Sequence, residues 1–180
     1  MLGFGKGISM DIELWFRKSK KPNWIERLIQ FRLVTEFSHV ELAFKFEDVD
    51  KYECVSAYPH GVTLVLREPT DEFVRVPVLG LDAEQKRRIY AKLGEFQFPA
   101  SYDFLGVAEL AINKPSSDNT HWYCSEICCY LLQQGDIFKF FDWRKAEIGD
   151  LYAAVTSRFE TVLELESKGG YHGNNSKVFE

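Results

Sequence analysis

The period of the apolar positions changes several times along the chain, and each change marks an element. Asp11-Ile12-Glu13-Leu14-Trp15-Phe16 alternates polar and apolar before turning fully apolar, which predicts a first short strand. Lys21-Pro22-Asn23 breaks the pattern. Trp24, Ile25, Leu28, Ile29 and Phe31 then recur at helical spacing with Arg27, Gln30 and Arg32 outside them, predicting a short amphipathic helix over residues 23–33. From Thr35 the period becomes two. Phe37, His39, Glu41 and Ala43 alternate with Ser38, Val40, Leu42 and Phe44, so this strand carries His39 and Glu41 on one face and a dry row on the other. A turn at 47–50 leads to a returning strand at 51–57, a second turn at 58–61 to a strand at 62–66, and a fourth run at 73–78 holds Pro77, a mark of a sheet edge.

The second half reads mostly as helix. Asp82 is placed to cap a helix over 83–96, whose wet side is Gln85, Lys86, Arg87 and Arg88. Residues 98–106 break it, and 107–112 form a short apolar helix. After a loop dense in turn formers at 113–120, Ile127, Tyr130, Leu131 and Gln134 again fall at helical spacing. The aromatic group Phe138, Phe140, Phe141 and Trp143 is expected to be a packing cap, 148–152 to open a last short helix, and 158–165, which alternates, to be a final strand. The tail at 168–180 is too polar and glycine-rich to fold by itself. Strands gathered in one half with helices before and after them predict an α+β fold, a small antiparallel sheet packed against helices, in one domain over 1–167.

Composition narrows the setting. A chain of 180 residues with 46% hydrophobic and 15% aromatic content can bury one good core without metals or disulfides. The net charge of −5 gives no general attraction to nucleic acid or to anionic membrane, and the local basic run Arg17-Lys18-Ser19-Lys20-Lys21 reads as a solvated loop with no stacking aromatics running through it. The cysteines at 54, 124, 128 and 129 are badly spaced for a disulfide framework, which points to a reduced compartment. No C-x-x-C occurs and His39, His60, His121 and His172 are scattered, so neither a metal nor a cofactor is expected. No signal-peptide pattern opens the chain and no apolar run approaches the roughly 18 residues of a transmembrane segment, so the expected location is cytoplasmic.

The candidate chemistry centres on Cys124. It stands where the polar loop turns into an apolar helix, with free backbone N–H groups and the positive end of the helix dipole close by, the setting that most favours a thiolate nucleophile. Most free cysteines are small buried hydrophobes, and Cys128 and Cys129, further along the helix, fit that role. A nucleophilic cysteine needs a base, and His39, fixed in mid-strand, can supply it if the Cys124 helix packs on the His39 face. Three residues compete to hold the imidazole in its tautomer: Ser56 on the neighbouring strand, Glu53 on that strand's opposite face, and Glu41 on the face of His39 itself.

These residues form a familiar set. Ser38-His39-Val40-Glu41-Leu42, then Val55-Ser56-Ala57 and Gly61-Val62, then Ser101-Tyr102-Asp103-Phe104, then Tyr123-Cys124-Ser125-Glu126-Ile127 resembles the circularly permuted NlpC-type branch of papain-like cysteine hydrolases, the YiiX-like group. The resemblance covers roughly residues 10 to 165 and includes the order of the motifs, with the histidine strand before the cysteine helix. It implies a permuted papain-like fold, Cys124 as nucleophile, His39 as base and Ser56 as orienting residue. Two positions depart from the group: Ser56 stands where a glutamate or another strongly polar residue is common, and Glu41 where glycine is frequent. The implied reaction is acyl transfer through a thioester, with backbone N–H groups at the helix start, joined by Tyr102 or Tyr123, around the oxyanion. Tyr102 and Asp103 would line the cleft, although Asp103 equally suits a cap on the helix that follows. The expected substrate is an amide bond in a peptide, a cell-wall peptide among them, or a lipid acyl bond. The alternative is a binding module that keeps the fold without efficient turnover. Oligomeric state is not encoded in any pattern here.

Overall fold

Alternation in the first half of the chain builds an antiparallel sheet, and the sheet sets the position of everything else. The computed structural model describes residues 10–47, 49–58, 61–96 and 122–167. Strands β1 (Met10–Arg17), β2 (His39–Phe46), β3 (Tyr52–Tyr58), β4 (Gly61–Arg67) and β5 (Phe73–Pro77) lie in the order β4-β3-β2-β1-β5, every neighbouring pair antiparallel. Pro77 does lie on an edge strand, where a missing N–H costs no ladder bond on the open side. β1 and β2 pair along their whole lengths, from Met10 opposite Phe46 to Arg17 opposite His39. β2 and β3 pair only from Lys45 opposite Tyr52 to Leu42 opposite Val55. Beyond that point the ladder ends, and the first residues of β2 turn backbone groups towards other partners.

The two faces of the sheet differ in chemistry. Met10, Ile12, Leu14 and Phe16 of β1 share the main core with Val40, Leu42, Phe44 and Phe46 of β2 and with Val55 and Ala57 of β3. The other face holds a smaller cluster of Trp15, Ala43, Tyr52 and Cys54, ringed by charged groups such as the Glu13–Arg75 pair. Four helices are found among the described residues: α1 (Trp24–Arg32), α2 (Ala83–Lys92), α3 (Cys124–Gln133) and α4 (Ile148–Ser167). Asn23 and Asp82 cap α1 and α2 through boxes with Glu26 and Gln85; the Asp82 cap is as expected, whereas Asn23, read as part of a break, proves to be the N-cap of α1. Helices α2, α3 and α4 bury their apolar stripes in the main core. This is an α+β arrangement, a five-stranded antiparallel sheet with helices packed on one face.

Two expectations for the second half need correction. The predicted helix over 83–96 ends as α-helix at Lys92 and tightens into a 3-10 turn over Leu93–Glu95. Residues 158–165, expected as a strand, continue α4. Leu151, Val155 and Val162 are buried along one face of that helix, while Leu163 is exposed, so the local alternation was incidental to a longer helical period. The helix expected at 107–112, the tail at 168–180, and Tyr102 and Asp103 lie outside the described residues.

Candidate active site

Helix α3 delivers Cys124 as its first residue. Tyr123 precedes it in extended conformation, and its backbone N–H donates to Glu126 Oε2 at 3.0 Å. Glu126 is buried, so a carboxylate answers the free amides and positive dipole of the first turn from inside the protein. Burial pushes the Cys124 thiol up to about 11, against the backbone N–H groups of Val40, Ser125 and Cys124 itself, while the Glu126 charge acts with burial. The helix start therefore does not yield a resting thiolate, because lost hydration and an adjacent carboxylate outweigh three amides.

The Val40 amide is the link between the helix and the histidine strand, since Val40 directly follows His39. His39 opens β2 with its ring 4.6 Å from the Tyr58 ring and its Nε2 3.6 Å from Glu41 Oε1. Its side chain keeps 14% of its surface exposed. Burial, with added repulsion from the Arg17 and Arg67 charges, lowers its pKa to about 3, so the ring is neutral at neutral pH. Among the described residues Nε2 makes no hydrogen bond. Sulfur and imidazole thus rest as a neutral thiol and a neutral base, without a hydrogen bond between Cys124 and Nε2.

The three competitors for the orienting place are sorted by where their polar atoms go. Ser56 Oγ donates to Val40 O at 2.5 Å, taking a carbonyl that the shortened β2–β3 ladder leaves open. Glu53 lies on the helix-bearing face and accepts from Tyr90 Oη at 2.7 Å. Glu41, only 1% exposed, is the carboxylate beside the imidazole. Tyr58 Oη donates to its Oε1, and Arg67 Nε lies 3.1 Å from its Oε2, a distance for charge pairing in which the N–H is not aimed for a hydrogen bond. Arg67 Nη2 in turn donates to Tyr58 Oη at 2.9 Å, and burial together with the Glu41 charge keeps the Tyr58 phenol protonated. A buried carboxylate is costly unless paired, and here a cation and a phenol pair it.

Helix α3 does not pack on the face of His39, as the sequence reading required. It packs on the Val40, Leu42 and Phe44 face, because Ile127, Cys128, Leu131 and Leu132 are fully buried apolar groups and the His39 face is occupied by Glu41 and Arg67. Cys124 meets the histidine strand at the Val40 amide, the residue next along the chain from His39. Cys128 Sγ lies 3.9 Å from Val40 O, and burial raises its thiol well above the ordinary range. Cys129 and Cys54 are likewise buried free thiols held protonated. Tyr123, expected near the oxyanion, is buried at the N-cap with its amide taken by Glu126.

Sequence reasoning missed Tyr58 and Arg67. Tyr58 was assigned to a turn, yet continuing the β2–β3 register past Leu42 and Val55 sets Tyr58 across from His39 and Ser56 across from Glu41. Arg67 does not follow from register, since it stands opposite Tyr52 while Tyr58 stands opposite Gly61; its long side chain runs along the same face to Tyr58 and Glu41. Among the described residues no three histidine, cysteine, aspartate or glutamate side chains gather as a metal would need, and no described helix is long and apolar enough to cross a membrane. A scan of the chain against protein-family models finds no match, and a search of curated proteins finds none similar to it.

Proposed function

We propose that the protein is a thiol hydrolase of the permuted NlpC-type, papain-like class, with Cys124 as nucleophile, His39 as base and Glu41 as the residue that orients His39. The observation that carries this reading is the placement of the Cys124 sulfur at the Val40 amide, one peptide unit from a histidine backed by a buried carboxylate. The reading requires the imidazole to reach the sulfur by side-chain rotation at the first residue of β2. The substitution pattern supports the same reading. Relative to the resembled group, the carboxylate stands at position 41 and not at 56, positions that face each other when the β2–β3 register is carried one step past its last pair.

The neutral resting pair defines the mechanism. As the sulfur attacks an amide or ester carbonyl, its proton passes to Nδ1 of His39, the nitrogen not turned to Glu41, and Glu41, 3.6 Å from Nε2, stabilises the imidazolium that forms. Backbone N–H groups at the start of α3 receive the oxyanion. The protonated His39 then gives its proton to the leaving amine or alcohol, leaving a thioester on Cys124. Water, deprotonated by His39, adds to the thioester carbonyl; the carbon–sulfur bond then breaks, the acid leaves, and His39 returns the proton to the Cys124 sulfur. The substrate is an amide bond in a peptide, a cell-wall peptide among them, or a lipid acyl bond. One observation favours a second reading, a binding module without turnover: burial holds both Cys124 and His39 in their uncharged forms.

Turnover of peptide-amide and acyl-ester libraries separates the two. The hydrolase reading expects release by the wild type and by Cys128→Ala, and none by Cys124→Ala. Turnover that survives in Cys124→Ala removes the nucleophile assignment, and binding without release by any form supports the module.

A further inference from the structure

The outer face of α1 is apolar and has no cover among the described residues. Trp24, Leu28 and Phe31 follow one another at helical spacing and all face solvent, Trp24 at 75% and Phe31 at 85% exposure. Val34, just past the helix, is 92% exposed and sits at φ 48, a left-handed conformation that a β-branched residue adopts only under constraint. A stripe of this size on one short helix marks a surface that meets something apolar. The opposite side of α1 is tied down, with Ile29 and Leu33 against the main core and Asn23 closing a capping box with Glu26. The helix is therefore held in place with its apolar stripe turned outward.

Charge identifies what the stripe meets. Residues 17–34 contain six lysines and arginines against the single acid Glu26, a local charge of +5 in a chain whose net charge is −5. Lys18 pairs with Glu36 and Lys20 with Asp71 in exposed ion pairs, which contribute little and exchange readily for other anions. At the foot of the helix a cavity of about 460 Å3 is lined by Arg17, Lys20, Lys21 and Asn23, together with Glu26 and Glu72. Its mix of cations with two carboxylates suits a headgroup that carries phosphate and ammonium. An aromatic and aliphatic stripe flanked by cations on a helix lying along the surface is the composition of an interfacial membrane helix.

We infer that α1 docks the protein on an anionic bilayer surface, with Trp24, Leu28 and Phe31 in the acyl boundary and Lys20 and Lys21 among the headgroups. The docked face adjoins the candidate site, since Glu26 of α1 accepts from Ser38 Oγ at 3.4 Å and pairs with Arg17, the β1 residue opposite His39. The inference stands apart from the proposed hydrolysis, because binding needs no turnover.

Flotation of the full chain with vesicles of phosphatidylcholine mixed with phosphatidylserine tests it, with phosphatidylcholine vesicles alone as control and the Trp fluorescence recorded. The expected result is binding to the mixed vesicles with a blue shift, weakened by salt, equal in Cys124→Ala, and reduced at least about tenfold in Trp24→Gln/Phe31→Gln. Lys20→Glu/Lys21→Glu should lose the preference for the anionic vesicles. Both double variants change exposed side chains, and unchanged circular dichroism verifies their folding. Failure of the folded wild type to float, equal binding to both vesicle types, or a concentration-dependent dimer that Trp24→Gln/Phe31→Gln dissolves would each overturn the inference, the last by assigning the face to a second copy of the chain.

Discussion

Behind His39, one carboxylate has the right address and two other groups are already engaged. Glu41→Gln keeps the shape of the side chain and removes the charge that stabilises an imidazolium, while leaving Arg67 facing a neutral amide. The expected outcome is a fall in kcat of at least about tenfold with little change in KM, and a loss of stability of about 2 kcal/mol from the broken buried pair. Ser56→Ala removes a hydrogen bond to Val40 O and should cost about 1 kcal/mol in urea unfolding while kcat stays within about twofold. If Ser56→Ala lost activity as Glu41→Gln does, the orienting role would return to the serine. The common face of His39 and Glu41 was readable from strict alternation. The engagement of Ser56 was not, because it depends on where the β2–β3 ladder stops, and nothing in either strand's composition marks Leu42 and Val55 as its last pair.

Among the elements, those fixed by short-range signals were legible and those decided by packing were not. The strands emerge within a few residues of the runs that predict them, and α1 and α2 start at their polar caps. The last helix was misread because Phe159, Thr161, Leu163 and Leu165 imitate a period of two, whereas the burial of Leu151, Val155 and Val162 follows the helical period across β5 and β1. Arg158 fastens this helix by donating to Leu79 O and Gly80 O at 3.0 and 3.1 Å. Leu151→Ala should therefore cost about 2–5 kcal/mol in denaturant unfolding, and Leu163→Ala less than about 0.5 kcal/mol. Comparable losses for the two would restore the strand reading, in which Leu163 alternates into a core. The packing face of α3 was also beyond the sequence. Cys124 lies at the predicted loop-to-helix junction, but the choice between the two sheet faces was made by Ile127, Leu131 and Leu132 meeting the dry row of β2.

At the scale of the molecule, the sheet separates two jobs. One face carries helices and core, and the other carries the Glu41, Arg67 and Tyr58 network, with the start of β2 as the place where they meet. Burial at that place raises the thiol and lowers the imidazole, so in the proposed reaction charge would be created during the attack and not stored beforehand. Joint action of Cys124 and His39 is the claim on which this description of the chemistry turns. Mass spectrometry of the wild type and His39→Asn, each mixed with an activated acyl ester at neutral pH and quenched in acid, tests it most directly. The expected result is one acyl group on the Cys124 peptide of the wild type, formed about a hundredfold more slowly in His39→Asn. A wild type that stays unmodified, or an adduct that forms equally fast without the imidazole, would contradict it.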